Sequence, residues 1–347
     1  MAPGPNGPVY YRVYGKTGGT PLIVLHGGPA AGEIYMRPYA GLAVDRQVVL
    51  YDQTGCGRSA KPDSLAGYTP DAYVSELEAL RDHLGFEEVS LLGHSWGGFL
   101  GALYASAYPD RVASLVLAGA ATSMNDFSQA ADRWLNAFGP SARTTIARQE
   151  LPPAEPNPAY EAAYEELTEA YYRRHLLRLD PWPAFFMEVG AVLAVNPVYA
   201  YLNGPSEFQL TGKLATLDIS SELKRIAVPT LVTCGEFDEA PPWVATKIVR
   251  LMANATLAVF PGASHMAHIE QPELVMATTC RFLRVANRAS SQATRSWLAS
   301  WWPEHCGQPA APPEPRPLHV GLPGLGQAAP QSSAFGEPPR SSLPSSS

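Results

Sequence analysis

The sequence predicts an α/β fold in which helices cover a mainly parallel sheet, with a helical cap inserted after the sixth strand. Over residues 1–119, short apolar runs typical of buried strands alternate with segments of helical periodicity. Between residues 120 and 225 this alternation stops and the spacing becomes helical. Strand-like runs return over residues 226–288. The core is therefore predicted in two parts, 1–119 and 226–288, separated by the cap.

The first part of the core supplies one edge strand, four buried strands and two helices. Val9–Val13 is typical of an edge strand. The buried strands are short apolar runs and are predicted at Pro21–Leu25, Gln47–Tyr51, Val89–Leu92 and Ser114–Ala118. Asp71–Leu84 places its large apolar residues on one helical face, and Gly97–Tyr108 is a small-residue helix that can pack close to the sheet.

The inserted segment is rich in Tyr, Phe, Trp and Pro. Three helices are predicted in it, at Met124–Arg148, Tyr160–Leu177 and Pro183–Val195. The sheet then continues with strands at Thr230–Cys234 and Thr256–Phe260, followed by a helix at Pro272–Ala286. Ligands of open α/β sheets bind at the carboxyl ends of the strands, so the insertion is expected to cover a binding site there.

Composition and charge narrow the classes of function. The formal net charge of -7 comes without a basic cluster, which argues against nucleic acid and anionic membrane surfaces as partners. No run of 18 apolar residues predicts a transmembrane helix, and the first residues lack the pattern of a secretory signal. The four cysteines are widely spaced, which argues against zinc sites and disulfide frameworks and predicts a cytoplasmic protein. Residues 289–347, rich in Pro and Ser, are expected to be disordered.

The stretch Gly93–Gly97 follows the apolar run Val89–Leu92 and has a serine, Ser95, at its centre. A Gly-x-Ser-x-Gly turn between a strand and a helix is typical of the nucleophile elbow of the α/β-hydrolase fold. The flanking glycines are needed because so tight a turn leaves no room for side chains. An ordinary strand-to-helix loop with a capping serine is the alternative interpretation.

A serine nucleophile needs a histidine base and an acid, which in this fold follow in the chain order Ser, Asp or Glu, His. The loop predicted after the seventh strand contains Glu236–Glu239, and we favour Asp238 there over its two neighbouring glutamates. The loop after the eighth strand contains His265, which we favour over His268 as the base. Surface or packing roles are expected for four other histidines: His83, His175, His305 and His319.

Two backbone amides are expected to bind the developing oxyanion. One belongs to Trp96, the residue after the nucleophile, and the other to the loop that follows Pro21–Leu25. In that loop we favour Gly28, with Gly27 as the alternative. In the loop after the next strand, Asp52 and Arg58 are expected to brace the backbone rather than react.

Three segments together resemble the proline iminopeptidase family of serine α/β hydrolases: His26–Pro29, Asp52–Ser59 and Gly93–Gly98. The resemblance extends over roughly residues 7–286. Enzymes of this family remove an N-terminal residue, often proline, from short peptides. One departure is Ala30, where the family commonly has glycine.

In the cap, Asn203–Phe208 is similar to the substrate-anchoring segment of the archaeal tricorn-interacting aminopeptidases. In that family a cap glutamate and the glutamate after the catalytic aspartate bind the free amino group of the substrate. The matching positions are Glu207 and Glu239. Paired carboxylates suit an ammonium group because they accept charge-assisted hydrogen bonds. The alternative is that both are solvated surface acids.

The resemblance implies a serine aminopeptidase that acts through an acyl-enzyme, prefers proline or a small apolar N-terminal residue, and needs no metal or cofactor. Its expected partner is a short peptide or an amino-acid amide. The alternatives are an amino-acid amidase, an esterase or lactonase acting on a small metabolite, and a non-catalytic binding protein. Candidate residues for the side-chain pocket are four aromatic residues of the cap: Phe127, Trp134, Tyr199 and Phe208.

Overall fold

The computed structural model describes residues 1–150 and 158–286, so the predicted extension at 289–347 lies outside the described residues. Its strands are β1 (Tyr11–Tyr14), β2 (Gly19–Leu25), β3 (Arg46–Tyr51), β4 (Val89–His94), β5 (Val112–Ala118), β6 (Thr230–Gly235) and β7 (Ala255–Phe260). They form one sheet in the order β1-β3-β2-β4-β5-β6-β7. In this sheet β1 is antiparallel to β3, and all other neighbouring strands are parallel. The mainly parallel α/β architecture is therefore confirmed.

Eleven α-helices are described, and six of them, α3 to α8, lie between β5 and β6. The helices are α1 (Pro70–His83), α2 (Trp96–Ala107), α3 (Met124–Asn136), α4 (Ala142–Glu150), α5 (Pro158–His175), α6 (Ala184–Ala194), α7 (Pro197–Leu202), α8 (Ser220–Arg225), α9 (Pro242–Leu251), α10 (Ala267–Glu270) and α11 (Pro272–Ala286). None of those in the described ranges has the length and apolar character needed to cross a bilayer.

The strand count of the prediction was wrong by one. The insertion was expected after the sixth strand, but five strands precede it, and these correspond to the five that the sequence located individually, with β1 as the one antiparallel edge strand. Before β1 there is only an isolated bridge between Ala2 and Val9. The loops predicted after the seventh and eighth strands are therefore the loops after β6 and β7.

The inserted segment also differs in detail from its predicted helices. The single helix expected over Met124–Arg148 is divided into α3 and α4. The division falls at Gly139, whose φ of 105° is favourable only for glycine, followed by Pro140, which cannot donate a backbone hydrogen bond. A separate apolar core forms between these two helices, α5 and the loop after α7, and six of its buried residues are Leu135, Phe138, Ile146, Leu167, Tyr171 and Phe208.

The sheet is buried on both faces, as its near-continuous apolar strands predict. Every residue of β4 is buried, and consecutive residues enter opposite cores: Leu91 lies in one and Leu92 in the other. Helices α1, α2, α8 and α9 cover the first face, while α11 and a 3₁₀ helix at Ile34–Leu42 cover the second. The sheet thus fixes the strand ends from which the candidate site is built.

Helix α2 lies so close to the sheet that Gly97 in its first turn and Gly93 near the end of β4 have no room for a side chain. A Cβ at Gly97 would overlap the carbonyl oxygen of Leu25 in β2, and one at Gly93 would overlap that of Gly97. One turn later the space is larger: a Cβ at Gly101 would lie 3.3 Å from the nearest atom, a methyl carbon of Leu115. The close approach is therefore confined to the first turn of α2.

We expect Gly97→Ala to lower the free energy of unfolding by about 2–3 kcal/mol, because the added methyl group meets rigid backbone. Gly101→Ala in the same helix is the matched control. We expect it to change the free energy of unfolding by less than about 1 kcal/mol, since the helix propensity of alanine offsets a tight side-chain contact. Guanidinium denaturation of both variants measures the difference, and equal effects would contradict the steric argument.

Candidate active site

Ser95 forms the sharp turn between β4 and α2. Its backbone has φ 55° and ψ −122°, a conformation that residues with a Cβ rarely adopt. Two main-chain hydrogen bonds hold it: the Ser95 amide donates to the carbonyl of Ala118 over 2.9 Å, and the Gly98 amide donates to the carbonyl of Ser95 over 2.8 Å. Ser95 lines a large cavity between the carboxyl ends of the strands and the inserted helices. This is the geometry of a nucleophile elbow.

Asp238 and His265 lie side by side although they follow different strands, β6 and β7. Nδ1 of His265 is 2.7 Å from Oδ1 of Asp238. The backbone amides of Gly235 and Ala240 also donate to this carboxylate, over 3.1 and 2.8 Å. Nδ1 of His265 therefore carries a proton directed at Asp238, which leaves Nε2 of His265 as the basic nitrogen. His265, like Ser95, lines the cavity.

The rival acid and the rival base both have other partners. The carboxylate of Glu236 accepts a hydrogen bond from the amide of Gly262 over 2.9 Å and so joins the loops after β6 and β7. His268 is buried, its Nε2 lies 3.1 Å from the carbonyl oxygen of Tyr35, and its ring stacks on Tyr39. Burial lowers the pKa of His268 to about 3, so it stays neutral.

The two candidate oxyanion donors, Gly28 and Trp96, line the cavity together with Ser95. The alternative donor is already engaged, because the amide of Gly27 donates to the hydroxyl of Tyr35 over 2.6 Å. The departure at Ala30 also has a structural meaning. Ala30 has φ 73°, in the left-handed region that favours glycine, which is the residue usual in the family at this position.

A chain of hydrogen bonds behind Ser95 was not predicted. The hydroxyl of Tyr35, which accepts from Gly27, lies 3.0 Å from Nδ1 of His94 and donates to it. Nε2 of His94 then donates to the carbonyl of His265 over 2.9 Å. Burial holds the pKa of His94 well below its usual range, so its ring is neutral. In the sequence, the position of His94 inside the Gly-x-Ser-x-Gly motif was the only indication that it lies near the site. Nothing in the sequence indicated Tyr35.

The loop after β3 braces the site, as expected for Asp52. Its carboxylate accepts from the backbone amides of Glu33 and Arg58, both over 2.8 Å. The next residue, Gln53, accepts from the indole Nε1 of Trp96 over 2.9 Å and donates to the carbonyl of His26 over 2.9 Å. The loop therefore connects the two segments that carry the candidate oxyanion donors.

Glu239 and Glu207 both line the cavity, although one belongs to the loop after β6 and the other to the loop after α7. Glu239 is only 8% exposed, and its Oε2 lies 3.9 Å from Nε2 of His265. Its other oxygen, Oε1, is buried and has no hydrogen-bond partner within the described ranges. Glu207 is half-buried, and the hydroxyl of Tyr199 lies 3.5 Å from its Oε2.

The cavity has an excess of negative charge. Burial raises the pKa of Glu239 to about 8; His265 lowers it, while Glu207 and Asp238 raise it further. Burial lowers the pKa of His265, but Asp238, Glu239 and Glu207 outweigh this and raise it to about 9. Three carboxyl groups, those of Asp238, Glu239 and Glu207, thus act electrostatically on the single imidazole of His265. A cation placed between Glu207 and Glu239 would be stabilised there.

The remainder of the cavity, which has a volume of about 600 Å³, is mainly apolar. Of the four aromatic residues predicted to line it, Phe127 and Tyr199 do so. The prediction was wrong for Trp134, whose indole instead donates to the carbonyl of Asp238, and for Phe208, which packs in the core of the inserted helices. Six of the lining residues supplied by α5, α6 and nearby loops are Tyr164, Tyr171, Tyr172, Trp182, Phe186 and Val189.

Comparison with known proteins places this architecture in a family. Residues 20–272 match the model of the α/β-hydrolase fold family. The chain is 35% identical to the proline iminopeptidase of Heyndrickxia coagulans over 266 residues, which cover 77% of this chain and 91% of that protein. The match therefore extends over most of that relative's length.

Two solved structures are also similar. The crystal structure of proline iminopeptidase from Mycobacterium smegmatis matches with a TM-score of 0.74 and 33% identity, covering 82% of this chain and 97% of that one. The crystal structure of VinJ matches with a TM-score of 0.72 and 31% identity, covering 80% and 94%. Together with the Ser95 turn and the Asp238–His265 pair, these matches show that the chain belongs to the proline iminopeptidase family of α/β hydrolases.

Proposed function

We propose that this protein is a serine aminopeptidase that releases N-terminal proline, or another small apolar residue, from short peptides. The observation that carries the proposal is the buried carboxylate of Glu239, which lies 3.9 Å from His265 with one oxygen unpartnered among the described residues. Glu207 lines the same cavity. Ionising a buried carboxyl group that has an unpartnered oxygen is costly unless a ligand supplies the missing charge or hydrogen bond. The ammonium group of a peptide N-terminus supplies both.

In the proposed mechanism, Ser95 attacks the carbonyl of the first peptide bond while Nε2 of His265 accepts the proton of its hydroxyl. Asp238 holds the proton on Nδ1 of His265, so Nε2 faces the reaction. The amides of Gly28 and Trp96 bind the oxyanion. His265 then protonates the leaving amine, and water hydrolyses the acyl-enzyme by the reverse sequence.

The position of the two glutamates sets which bond is cleaved. Because the ammonium group is held near His265, the first carbonyl of the substrate is the one that reaches Ser95. The mainly apolar lining of the cavity favours an apolar first residue, and its volume of about 600 Å³ favours short peptides. We also propose a cytoplasmic location, since the three described cysteines, Cys56, Cys234 and Cys280, are free thiols.

Amine binding also prepares the base. Without a ligand, the surrounding carboxyl groups raise the pKa of His265 and favour its protonated, inactive form. An ammonium group between the glutamates offsets this field, so both Glu239 and His265 bind protons less tightly. Neutral His265 can then accept the proton from Ser95. An amino-acid amidase would use the same groups, and only the leaving group separates it from a peptidase.

Replacing Ser95 with alanine should reduce hydrolysis of L-proline p-nitroanilide by about 10⁴-fold or more, because the nucleophile is lost. Ser75→Ala, on the exposed face of α1, is the matched control and should retain full activity. Steady-state rates of both preparations provide the measurement. If the Ser95→Ala protein keeps the same residual activity after further purification, contaminating enzyme is excluded as its source. That result would contradict Ser95 as the nucleophile.

Replacing Glu207 or Glu239 with glutamine should lower kcat/KM for L-proline p-nitroanilide by about 10- to 100-fold, since an ionic hydrogen bond to the substrate ammonium is lost. The low activity of the same variants on N-acetyl-L-proline p-nitroanilide should not fall to the same extent, because this substrate has no ammonium group. Glu236→Gln is the control, because this glutamate lies in the same loop as Glu239 but bonds Gly262 instead. Equal losses on both substrates would remove the amine-binding role.

Binding of L-prolinamide to the Ser95→Ala variant at pH 7 should release protons. Glu239 and His265 have pKa values of about 8 and 9, so both hold protons at pH 7, and the ammonium group lowers both values. Calorimetric titration in phosphate and Tris buffers measures the release, which should be smaller when Glu239→Gln is added. Proton uptake on binding would contradict the proposed charge balance.

A further inference from the structure

His175 lies at the end of α5 and bonds the loop that carries the candidate acid. Its side chain is fully buried, and its Nδ1 lies 2.8 Å from the carbonyl oxygen of Phe237, the residue before Asp238. A carbonyl oxygen can only accept, so Nδ1 carries the proton and donates. Nε2 of the ring is buried and has no hydrogen-bond partner in the described part of the chain. Among residues 1–150 and 158–286, this donation is therefore the one polar contact of the ring.

The backbone at the same turn bonds the loop that carries the candidate base. The amide of His265 donates to the carbonyl of His175 over 3.0 Å, and the amide of Met266 donates to the carbonyl of Leu176 over 3.0 Å. Two consecutive residues at the end of α5 thus contact the loops after β6 and β7. Both loops follow strands of the sheet, whereas α5 lies in the segment inserted between β5 and β6.

Trp134 adds a second donor from α3. Its indole Nε1 donates to the carbonyl of Asp238 over 3.0 Å. The ring of Trp134 stacks on His175, with centroids 4.2 Å apart and an angle of 24° between the planes. The consecutive carbonyls of Phe237 and Asp238 therefore each accept from one of two stacked side chains of the inserted helices.

We propose that His175, supported by Trp134, is a positioning residue that holds Asp238 against His265, so that the inserted helices build the triad as well as covering it. The inference rests on the proposed function for the roles of Asp238 and His265. Because a carboxylate–imidazole pair works only within a few tenths of an ångström of its productive geometry, a shift of the Phe237–Asp238 backbone reduces the rate of proton transfer. Burial lowers the pKa of His175 to about 3, so the ring keeps the neutral form that donates from Nδ1.

Two substitutions of His175 separate hydrogen bonding from packing. Phenylalanine keeps an aromatic ring for stacking on Trp134 but cannot donate to Phe237. Asparagine lacks the ring, but its side-chain amide can donate from nearly the same position as Nδ1. We expect His175→Phe to lower kcat for L-proline p-nitroanilide by about 10- to 100-fold with KM changed less than about threefold, by analogy with residues that orient metal ligands. His175→Asn should retain kcat within about fivefold while melting at a lower temperature.

The rate at which a fluorophosphonate labels Ser95 provides a readout that does not depend on amine recognition. This rate requires His265 as base, so it should fall in His175→Phe as kcat does. Its pH profile should also change: a weaker Asp238–His265 contact lowers the pKa of His265, so the acid limb moves to lower pH. Trp134→Phe, which keeps the stacking but loses the indole donor, should shift the limb in the same direction by a smaller amount.

Phe138→Leu is the matched control for packing. The ring of Phe138 lies 6.3 Å, centroid to centroid, from the rings of both His175 and Tyr171, edge-on to the first and tilted to the second, and its side chain cannot form a hydrogen bond to the triad loops. We expect it to lower the melting temperature without changing kcat or the pH profile. The proposal is overturned if His175→Phe labels like the wild type, or if kcat follows the melting temperature across all four variants. A wild type that is not labelled at all would instead overturn the proposed function.

Discussion

The contact on which the site depends is the close approach of α2 to β2 and β4, where Gly97 lies against the carbonyl of Leu25 and Gly93 lies against Gly97. This contact forces Ser95 into its unusual backbone conformation and directs it into the cavity. It also brings Gly27 next to the elbow, since a Cβ at Gly27 would lie 2.8 Å from Cβ of Ser95. The candidate nucleophile and the loop that carries the candidate oxyanion donor are therefore positioned by the same steric constraint.

Most of the sheet and the identity of the catalytic candidates could be predicted because each has a local signal. Apolar runs mark buried strands, and the Gly-x-Ser-x-Gly turn marks Ser95. Asp238 and His265 could be found because parallel strands end at one edge, so that their following loops meet. The number of strands before the insertion had no such signal, because a first edge strand can be absent without changing any later motif; here only an isolated bridge between Ala2 and Val9 precedes β1.

The contacts that the sequence did not predict join segments far apart in the chain. His175 was expected to have a surface or packing role, yet its ring bonds a loop 62 residues away. Trp134 was expected to line the pocket, but its indole donates instead to the backbone carbonyl of Asp238. Helical periodicity shows which face of α3 or α5 is apolar, but not which loop of the sheet will lie against it. Such contacts follow from tertiary packing alone.

The charge balance of the cavity connects these parts. Asp238 is compensated by two backbone amides and by His265, whereas Glu239 has an oxygen without a partner in the described chain. The carboxylate of Asp238 therefore has hydrogen-bond partners on both oxygens, whereas one oxygen of Glu239 has none among the described residues. A neutral acyl group would leave that deficit in place, but an N-terminal ammonium group would remove it. In the proposed function, the same residues thus define where the substrate binds and when His265 becomes a base.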